Sequence, residues 1–187
     1  MAPGNQAVFL NVQPEADAVV NECFPNVEAK IARVGGQMQC GWQLWEWPHV
    51  LIEAEFHAVW VSKEGSMVEI TPKAQGEGRI LFVPDQRRRY EGIVVDNLRM
   101  PLRDDQLIRD FIMVSEMKTQ VMNRGERAVQ YGHVSVPAYE IEPLLMAQSF
   151  LGHALASGLR DHDPCLCGSG GKYKRCHGRK LKSIFEK

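Results

Sequence analysis

Long apolar runs are missing from this sequence. No stretch approaches the ~20 consecutive apolar residues that a membrane-spanning helix needs. The amino terminus also lacks the basic and apolar segments of a secretory leader. We therefore expect a cytoplasmic protein that does not insert into a membrane. Internal repeats and low-complexity tracts are missing as well, and the 44% apolar and 24% charged residues are typical of a globular protein.

The sequence has little net charge of either sign. The formal net charge is −1 over 187 residues, so we expect no overall electrostatic attraction to nucleic acid or to a membrane. The charge is unevenly distributed, however. Residues 1–60 carry two basic and seven acidic side chains, whereas residues 172–187 carry seven basic and one acidic. Contacts with a charged partner are therefore expected near the carboxyl-terminal end.

Cysteine is scarce, and its number is odd. Three of the five cysteines lie within twelve residues of one another near the carboxyl terminus. An odd, clustered set in a protein without a leader indicates metal or thiol chemistry and argues against a disulfide framework.

The segment 53–73 predicts two short strands joined by a turn at 63–66, because β-branched and aromatic residues crowd both arms and Gly65 supplies the turn. Side chains alternate between the faces of a strand. His57 and Glu69 therefore lie on the same face, opposite or diagonal to each other. A histidine beside a carboxylate forms the base and orienting acid of a nucleophilic triad. An ordinary cross-strand pair on a half-solvated sheet explains the same pattern.

Cys23 is the candidate nucleophile. Pro25 suits the first turn of a helix, and Gly35 and Gly36 suit its end, so a helix is predicted to begin near Cys23. Unpaired backbone N–H groups and the positive end of the helix dipole stabilise a thiolate there. Two alternatives are open. Cys23 is a small buried apolar residue, or the nucleophile is Cys40, in a strand-like segment with no helix to activate it.

The remaining pattern predicts further strands, followed by helices. Besides the hairpin, strands are predicted over residues 37–46, 79–83 and 92–95. Pro101 and the acidic pair after it predict a helix that ends near residue 123. Pro143 predicts the start of a second helix, which ends at Gly158.

The carboxyl-terminal segment 164–178 predicts a metal site. Its four candidate ligands are Cys165, Cys167, Cys176 and His177, and glycines between them let the loop fold back. Three sulfurs and one imidazole suit a tetrahedral zinc ion and leave no position for a reacting water. We therefore expect one structural Zn²⁺ per chain. The GSGGK stretch is not a phosphate-binding loop, because it lacks the earlier glycine and the Ser or Thr after the lysine.

These fifteen or so residues resemble the SEC-C motif, the zinc module at the carboxyl terminus of the SecA translocase ATPase and of many otherwise unrelated bacterial proteins. All four expected ligands are present. The resemblance implies a docking role, in which the module and its basic flank contact a protein or ribosome partner.

The front of the chain resembles the papain-like and transglutaminase-like thiol fold. That family has a cysteine at a helix start, a histidine on a strand and an acid on the next strand, which correspond here to Cys23, His57 and Glu69. The FHAVW and VEITP stretches carry the resemblance, with Glu in the place of Asp. It implies an attack by Cys23 on the carbonyl carbon of a peptide, isopeptide or side-chain amide, with Asn21 or Gln43 as possible donors to the oxyanion.

We predict an α+β fold with two parts. Residues 1–160 form a thiol-protease-like domain, with a small antiparallel sheet, an amino-terminal cysteine-bearing helix and carboxyl-terminal helices. Residues 161–187 form the zinc-bound SEC-C tail. The predicted function is cysteine-dependent acyl transfer or hydrolysis on a peptide-like substrate.

Two other functions are consistent with parts of the same sequence. The first alternative is a non-catalytic, zinc-dependent adaptor that docks on a protein or ribosome. The second is nucleic-acid binding through the tail and the run of arginines at 87–89, which no aromatic-interleaved basic surface supports.

Overall fold

A computed structural model describes residues 6–130 and 133–185 of the chain, except for the side chains at positions 182, 184 and 185. The side chain of Lys182, which belongs to the basic flank predicted to contact a partner, therefore lies outside the described part. The chain forms two compact units. Unit 1 is the chain up to Trp45 together with Glu53–Glu91, and unit 2 is Glu46–Ile52 together with the chain from Gly92 onward.

Six strands form one sheet. They are β1 Val8–Asn11, β2 Gln37–Trp47, β3 Leu51–Val61, β4 Met67–Val68, β5 Arg79–Pro84 and β6 Leu98–Pro101. The strand order is β1-β5-β2-β3-β4, and β6 pairs with β3. The β1–β5, β2–β5 and β3–β4 pairs are antiparallel.

Four α-helices complete the described part of the chain. They are α1 Cys23–Val34, α2 Gln106–Met122, α3 Ala138–Ala156 and α4 His177–Phe185, with short 3-10 turns at Gly125–Val129 and Tyr173–Arg175. The predicted α+β class is thus confirmed. Within the described residues, no helix combines the length and apolar character needed to cross a membrane.

Unit 1 has a small core in two clusters. One cluster consists of buried side chains from strands β1, β3 and β5, with Val59 and Phe82 fully buried. In the other cluster, Cys23 and Val27 of α1 pack with Ala58 and Ile70. The helix start that carries Cys23 is therefore held against the strand that carries His57.

Unit 2 is built around α2 and α3, whose buried residues form one core. The carboxyl-terminal segment contributes to that core, because Cys165, Tyr173 and Leu181 are buried in it. The predicted domain boundary after residue 160 stays a prediction. In the structure, contacts between residues place the carboxyl-terminal segment in the same unit as these helices.

Three local predictions were wrong. No strand forms at 92–95, where Gly92 has a left-handed φ of 79° and the Val94 carbonyl accepts a hydrogen bond from the Asn123 side chain at 3.0 Å. Helix α3 starts at Ala138, ahead of Pro143. The second hairpin arm has only two ladder residues.

The second arm is short because another segment takes over its pairing. The Gln13 N–H donates to the Glu69 carbonyl at 2.7 Å, and the Glu15 N–H donates to the Ile70 carbonyl at 3.1 Å. Val12 and Glu69 also form an isolated parallel bridge. Glu69 is thus fixed by the chain that follows β1 as well as by the hairpin.

Candidate active site and candidate metal centre

Helix α1 begins at Cys23, as the sequence predicts. Asn26 in its first turn is buried and fixes the helix start. Its side chain exchanges hydrogen bonds with the backbone of Val19, at 2.8 and 3.0 Å, and donates to the Thr71 hydroxyl at 3.2 Å. Thr71 lies two residues after Glu69, so one asparagine links the start of the cysteine helix to the segment that carries the acid.

The structure brings His57 and Glu69 together in the interior of unit 1. The β3–β4 register sets Trp60 opposite Val68. Continued by one residue, this register places Glu69 beside Val59, with His57 diagonal on the same face. Nε2 of His57 contacts Oε2 of Glu69 directly, and the two residues are 4% and 0% exposed. The other carboxylate oxygen of Glu69 accepts the Thr71 N–H at 2.6 Å.

Lys73 completes this cluster, although the sequence reasoning missed it. Its ammonium donates to Glu69 at 2.8 Å and to Oε1 of buried Gln43 at 2.9 Å, and lies 3.5 Å from Nε2 of His57. The Lys73 side chain is only 7% exposed. The sequence offered one indication of this contact, because Lys73 follows Glu69 by four residues. That spacing predicts an ion pair on a helix, however, and not in a turn. Gln43 therefore positions Lys73 through the oxygen of its amide.

The surroundings favour a charged histidine. Burial disfavours the imidazolium, but the nearby Cys23 thiol and the Glu69 carboxylate outweigh burial and raise the pKa of His57 to about 9. Nδ1 of His57 has no partner at normal hydrogen-bond geometry among the described residues. A hydrogen bond of working geometry between Nδ1 and the Cys23 thiol is therefore not formed in this structure, as is common in resting sites.

The carboxylate is stabilised in its ionised form. Burial alone would raise the pKa of Glu69, but the neighbouring His57 and Lys73 outweigh burial and lower it. A buried anion with two cationic neighbours and a backbone donor has a partner for each of its oxygens. Glu69 can therefore hold His57 in one orientation, which is the part an acid plays in a triad.

Cys40, the alternative nucleophile, lies in a less favourable place. It is buried on β2, and burial raises the pKa of its thiol despite a hydrogen bond from the Tyr90 backbone. No helix begins at Cys40. The thiol that contributes to the raised pKa of His57 is that of Cys23. Of the two cysteines, only Cys23 lies at a helix start.

The four predicted metal ligands converge in the carboxyl-terminal segment. One atom from each of Cys165, Cys167, Cys176 and His177 lies within 4.8 Å of all the others. Sγ of Cys167 lies 3.5 Å from Sγ of Cys176. Nδ1 of His177 lies 3.2 Å from Sγ of Cys165 and 3.6 Å from Sγ of Cys176.

These separations fit a tetrahedral ion. With metal–sulfur bonds of 2.3 Å, two sulfurs on the corners of a tetrahedron lie about 3.8 Å apart, and a sulfur and a nitrogen lie somewhat closer. These three separations agree with those values to within a few tenths of an ångström, and all the ligand atoms lie within 4.8 Å of one another. Three thiolates and one imidazole form a closed set for a borderline-soft ion, so this cluster is a potential metal site with no open position.

The metal segment is held to the helices of unit 2 by its buried tyrosine. The Tyr173 hydroxyl donates to Oδ2 of buried Asp110 on α2 at 2.7 Å, and Gln106 donates to the other oxygen at 2.5 Å. Burial raises the pKa of Asp110. The ring of His177 also packs 5.5 Å from that of Phe150 on α3. A ligand of the cluster therefore contacts the unit 2 core directly.

Comparison with known proteins supports the carboxyl-terminal assignment. The model of the SEC-C motif matches residues 163–179. The chain is also 37% identical over 76 residues to the protein translocase subunit SecA of Methylococcus capsulatus, a match that covers 35% of this chain and 8% of that protein. The chain thus spans less than a tenth of the length of this curated relative.

No solved structure matches the chain. The resemblance of its front part to the papain-like and transglutaminase-like fold therefore gains no support from structural comparison. The SEC-C resemblance is confirmed.

Proposed function

We propose that unit 1 is a cysteine-dependent acyl-transfer or hydrolase site that acts on a peptide, isopeptide or side-chain amide. The observation that carries this proposal is the buried His57, which contacts Glu69 directly and follows Phe56 and precedes Ala58 on the strand against which Cys23 packs. Cys23 is the nucleophile, His57 the base and acid, and Glu69 the orienting group.

The reaction follows from these roles. Because His57 is charged at neutral pH, it already holds the proton that the thiol has given up, and the Cys23 thiolate bonds to the substrate carbonyl carbon. Backbone N–H groups at the start of α1 stabilise the developing oxyanion. The C–N bond breaks as His57 returns the proton to the leaving amine, and water or a second amine then cleaves the thioester. Lys73 and Gln43 hold Glu69 in place through both steps.

The direct test uses p-nitrophenyl acetate, a small acyl donor that releases p-nitrophenolate. Acetylation of one cysteine per chain, assigned to Cys23 by peptide mass spectrometry, is the expected result. Cys23→Ala and His57→Ala should each abolish it, and combining them should cost little more, because such residues act as a unit. Glu69→Gln should slow the reaction less than either. Acetylation of Cys40 in place of Cys23 would contradict the proposal.

We also propose that the metal of the tail is one structural Zn²⁺ per chain, held by Cys165, Cys167, Cys176 and His177. Bound there, zinc would cross-link the loop and stabilise its fold. Elemental analysis of the purified protein should give one zinc per chain. Cys176→Ser should lose it, because a hydroxyl replaces a thiolate poorly in a closed site, whereas Cys40→Ser should keep it. Full occupancy in Cys176→Ser would overturn the ligand assignment.

A second function, docking on a protein or ribosome, is favoured by the exposed cations around this cluster. Lys172, Arg175, Arg179 and Lys180 are exposed, and none forms an ion pair with a carboxylate in the described chain. The match to SecA, itself a protein translocase subunit, makes a protein partner the natural candidate. Cosedimentation with purified ribosomes should weaken between about 50 and 300 mM salt, because salt screens exposed charges. Binding that does not respond to salt would exclude this mode of docking.

A further inference from the structure

A polar cavity of about 330 Å³ opens in unit 1, and the cysteine in its wall is Cys40. Its walls are the first four residues of β2 and the loop that follows β5, including Asp85, Arg88, Arg89 and Tyr90. This volume is at the lower end of the range for ligand pockets. It admits one or two side chains and not a folded partner.

The cavity adjoins the start of α1. The Tyr90 ring stacks on that of Phe24, with centroids 3.8 Å apart and planes inclined by 8°. Phe24 follows Cys23 directly in the chain, and its ring lies 5.4 Å from that of Phe56, the residue before His57. One aromatic layer therefore separates the cavity from the cysteine–histidine pair. Cys40 forms part of the wall.

Of the two arginines in the cavity wall, one has no carboxylate partner among the described residues. Asp85 accepts from the Arg87 N–H at 3.0 Å and from the Trp42 indole N–H at 3.3 Å. The Arg88 guanidinium lies 3.9 Å from the same carboxylate and over the Trp42 ring. Arg89 is exposed and forms no ion pair with a described carboxylate. Arg88 is therefore partly engaged by Asp85 and by the Trp42 ring, and Arg89 is the more available of the two arginines to a ligand.

We propose that this cavity binds an acidic side chain of the substrate of the Cys23 site, whose carboxylate Arg89 holds while the substrate chain extends past Phe24 towards Cys23. The proposal rests on the cysteine-dependent function proposed above and names its substrate class. A guanidinium binds a carboxylate through paired N–H donors. The neighbouring glutamines Gln37 and Gln39 supply polar groups for the substrate backbone.

The test measures binding without chemistry. In the full-length Cys23→Ala protein, calorimetry compares acetyl-Ala-Glu-Ala-amide with acetyl-Ala-Gln-Ala-amide. The glutamate peptide should bind at least about fivefold more tightly, as expected of one partly exposed charge-assisted contact. Arg89→Gln should remove the preference. Arg87→Gln is the matched control, because Arg87 is a neighbouring exposed arginine outside the cavity wall, and it should keep the preference.

Each other outcome overturns the proposal. Equal binding of the two peptides, or no binding of either, excludes selection of an acidic side chain. Equal losses in Arg87→Gln and Arg89→Gln would assign the effect to general surface charge. The result is independent of the acylation test. If Cys23 is not acetylated but the Arg89-dependent preference is found, the pocket stands and the catalytic function fails.

Discussion

The charged state of His57 should make the stability of unit 1 depend on pH in a way that one substitution removes. The pKa of His57 is raised from 6.5 to about 9 in the folded protein. The folded state then holds a proton that the unfolded state releases. The stabilisation is fully present below about pH 6.5 and is lost as pH rises to about 9. The difference between the two pKa values corresponds to about 3 kcal/mol at most.

The assay is urea unfolding of the wild type and of His57→Gln at about pH 6 and about pH 9.5. Tryptophan fluorescence suits it because Trp42, Trp45 and Trp60 all belong to unit 1. Between these pH values, the free energy of unfolding should fall by about 3 kcal/mol more in the wild type than in the variant. Equal falls would show that His57 is not charged in the folded state and would refute the electrostatic account of the site.

Two further substitutions test buried contacts. Lys73→Met should destabilise unit 1 by about 3 kcal/mol in urea unfolding, because it leaves the buried carboxylate of Glu69 with one cation fewer. Lys73→Arg should recover part of the loss. No loss of stability in the methionine variant would show that the Lys73–Glu69 ion pair is dispensable. Tyr173→Phe should lower the stability of unit 2 by about 1–2 kcal/mol, because Asp110 loses a buried donor, and an unchanged thermal midpoint would contradict this.

Much of the candidate site could be predicted because it depends on short-range patterns. The helix that begins at Cys23 followed from Pro25 and the two glycines at its end. Alternation along a hairpin placed His57 and Glu69 on one face, and that relation survives in the structure. The metal cluster followed from ligand spacing alone.

Contacts distant in sequence could not be predicted in this way. Lys73 interacts with Gln43, thirty residues away, and the turn that aims its ammonium at Glu69 has no sequence signature. Tyr173 reaches Asp110 across 63 residues. Both buried polar contacts depend on tertiary packing, which single-sequence patterns do not contain.

Strand boundaries failed for the same reason. The apolar run at 92–95 has the composition of a strand, but the side chain of Asn123, the residue after α2, donates to the Val94 carbonyl and takes the place of a ladder partner. The second hairpin arm was cut short because the chain after β1 pairs with Glu69 and Ile70. Intrinsic strand preference is outweighed where another segment supplies the hydrogen bonds.

The assignment of Cys23 as nucleophile is tested most directly by reaction with iodoacetamide at near-neutral pH. The quantity measured is the rate at which each cysteine is modified. We predict that Cys23 reacts at least about tenfold faster than Cys40. The thiolate is the reactive form, and of these two cysteines only Cys23 has a nearby imidazole and a helix start to favour it. We also predict that His57→Ala removes this difference. A Cys40 that reacts as fast as Cys23, or a Cys23 rate that His57→Ala leaves unchanged, would contradict the assignment of Cys23 and His57 as nucleophile and base.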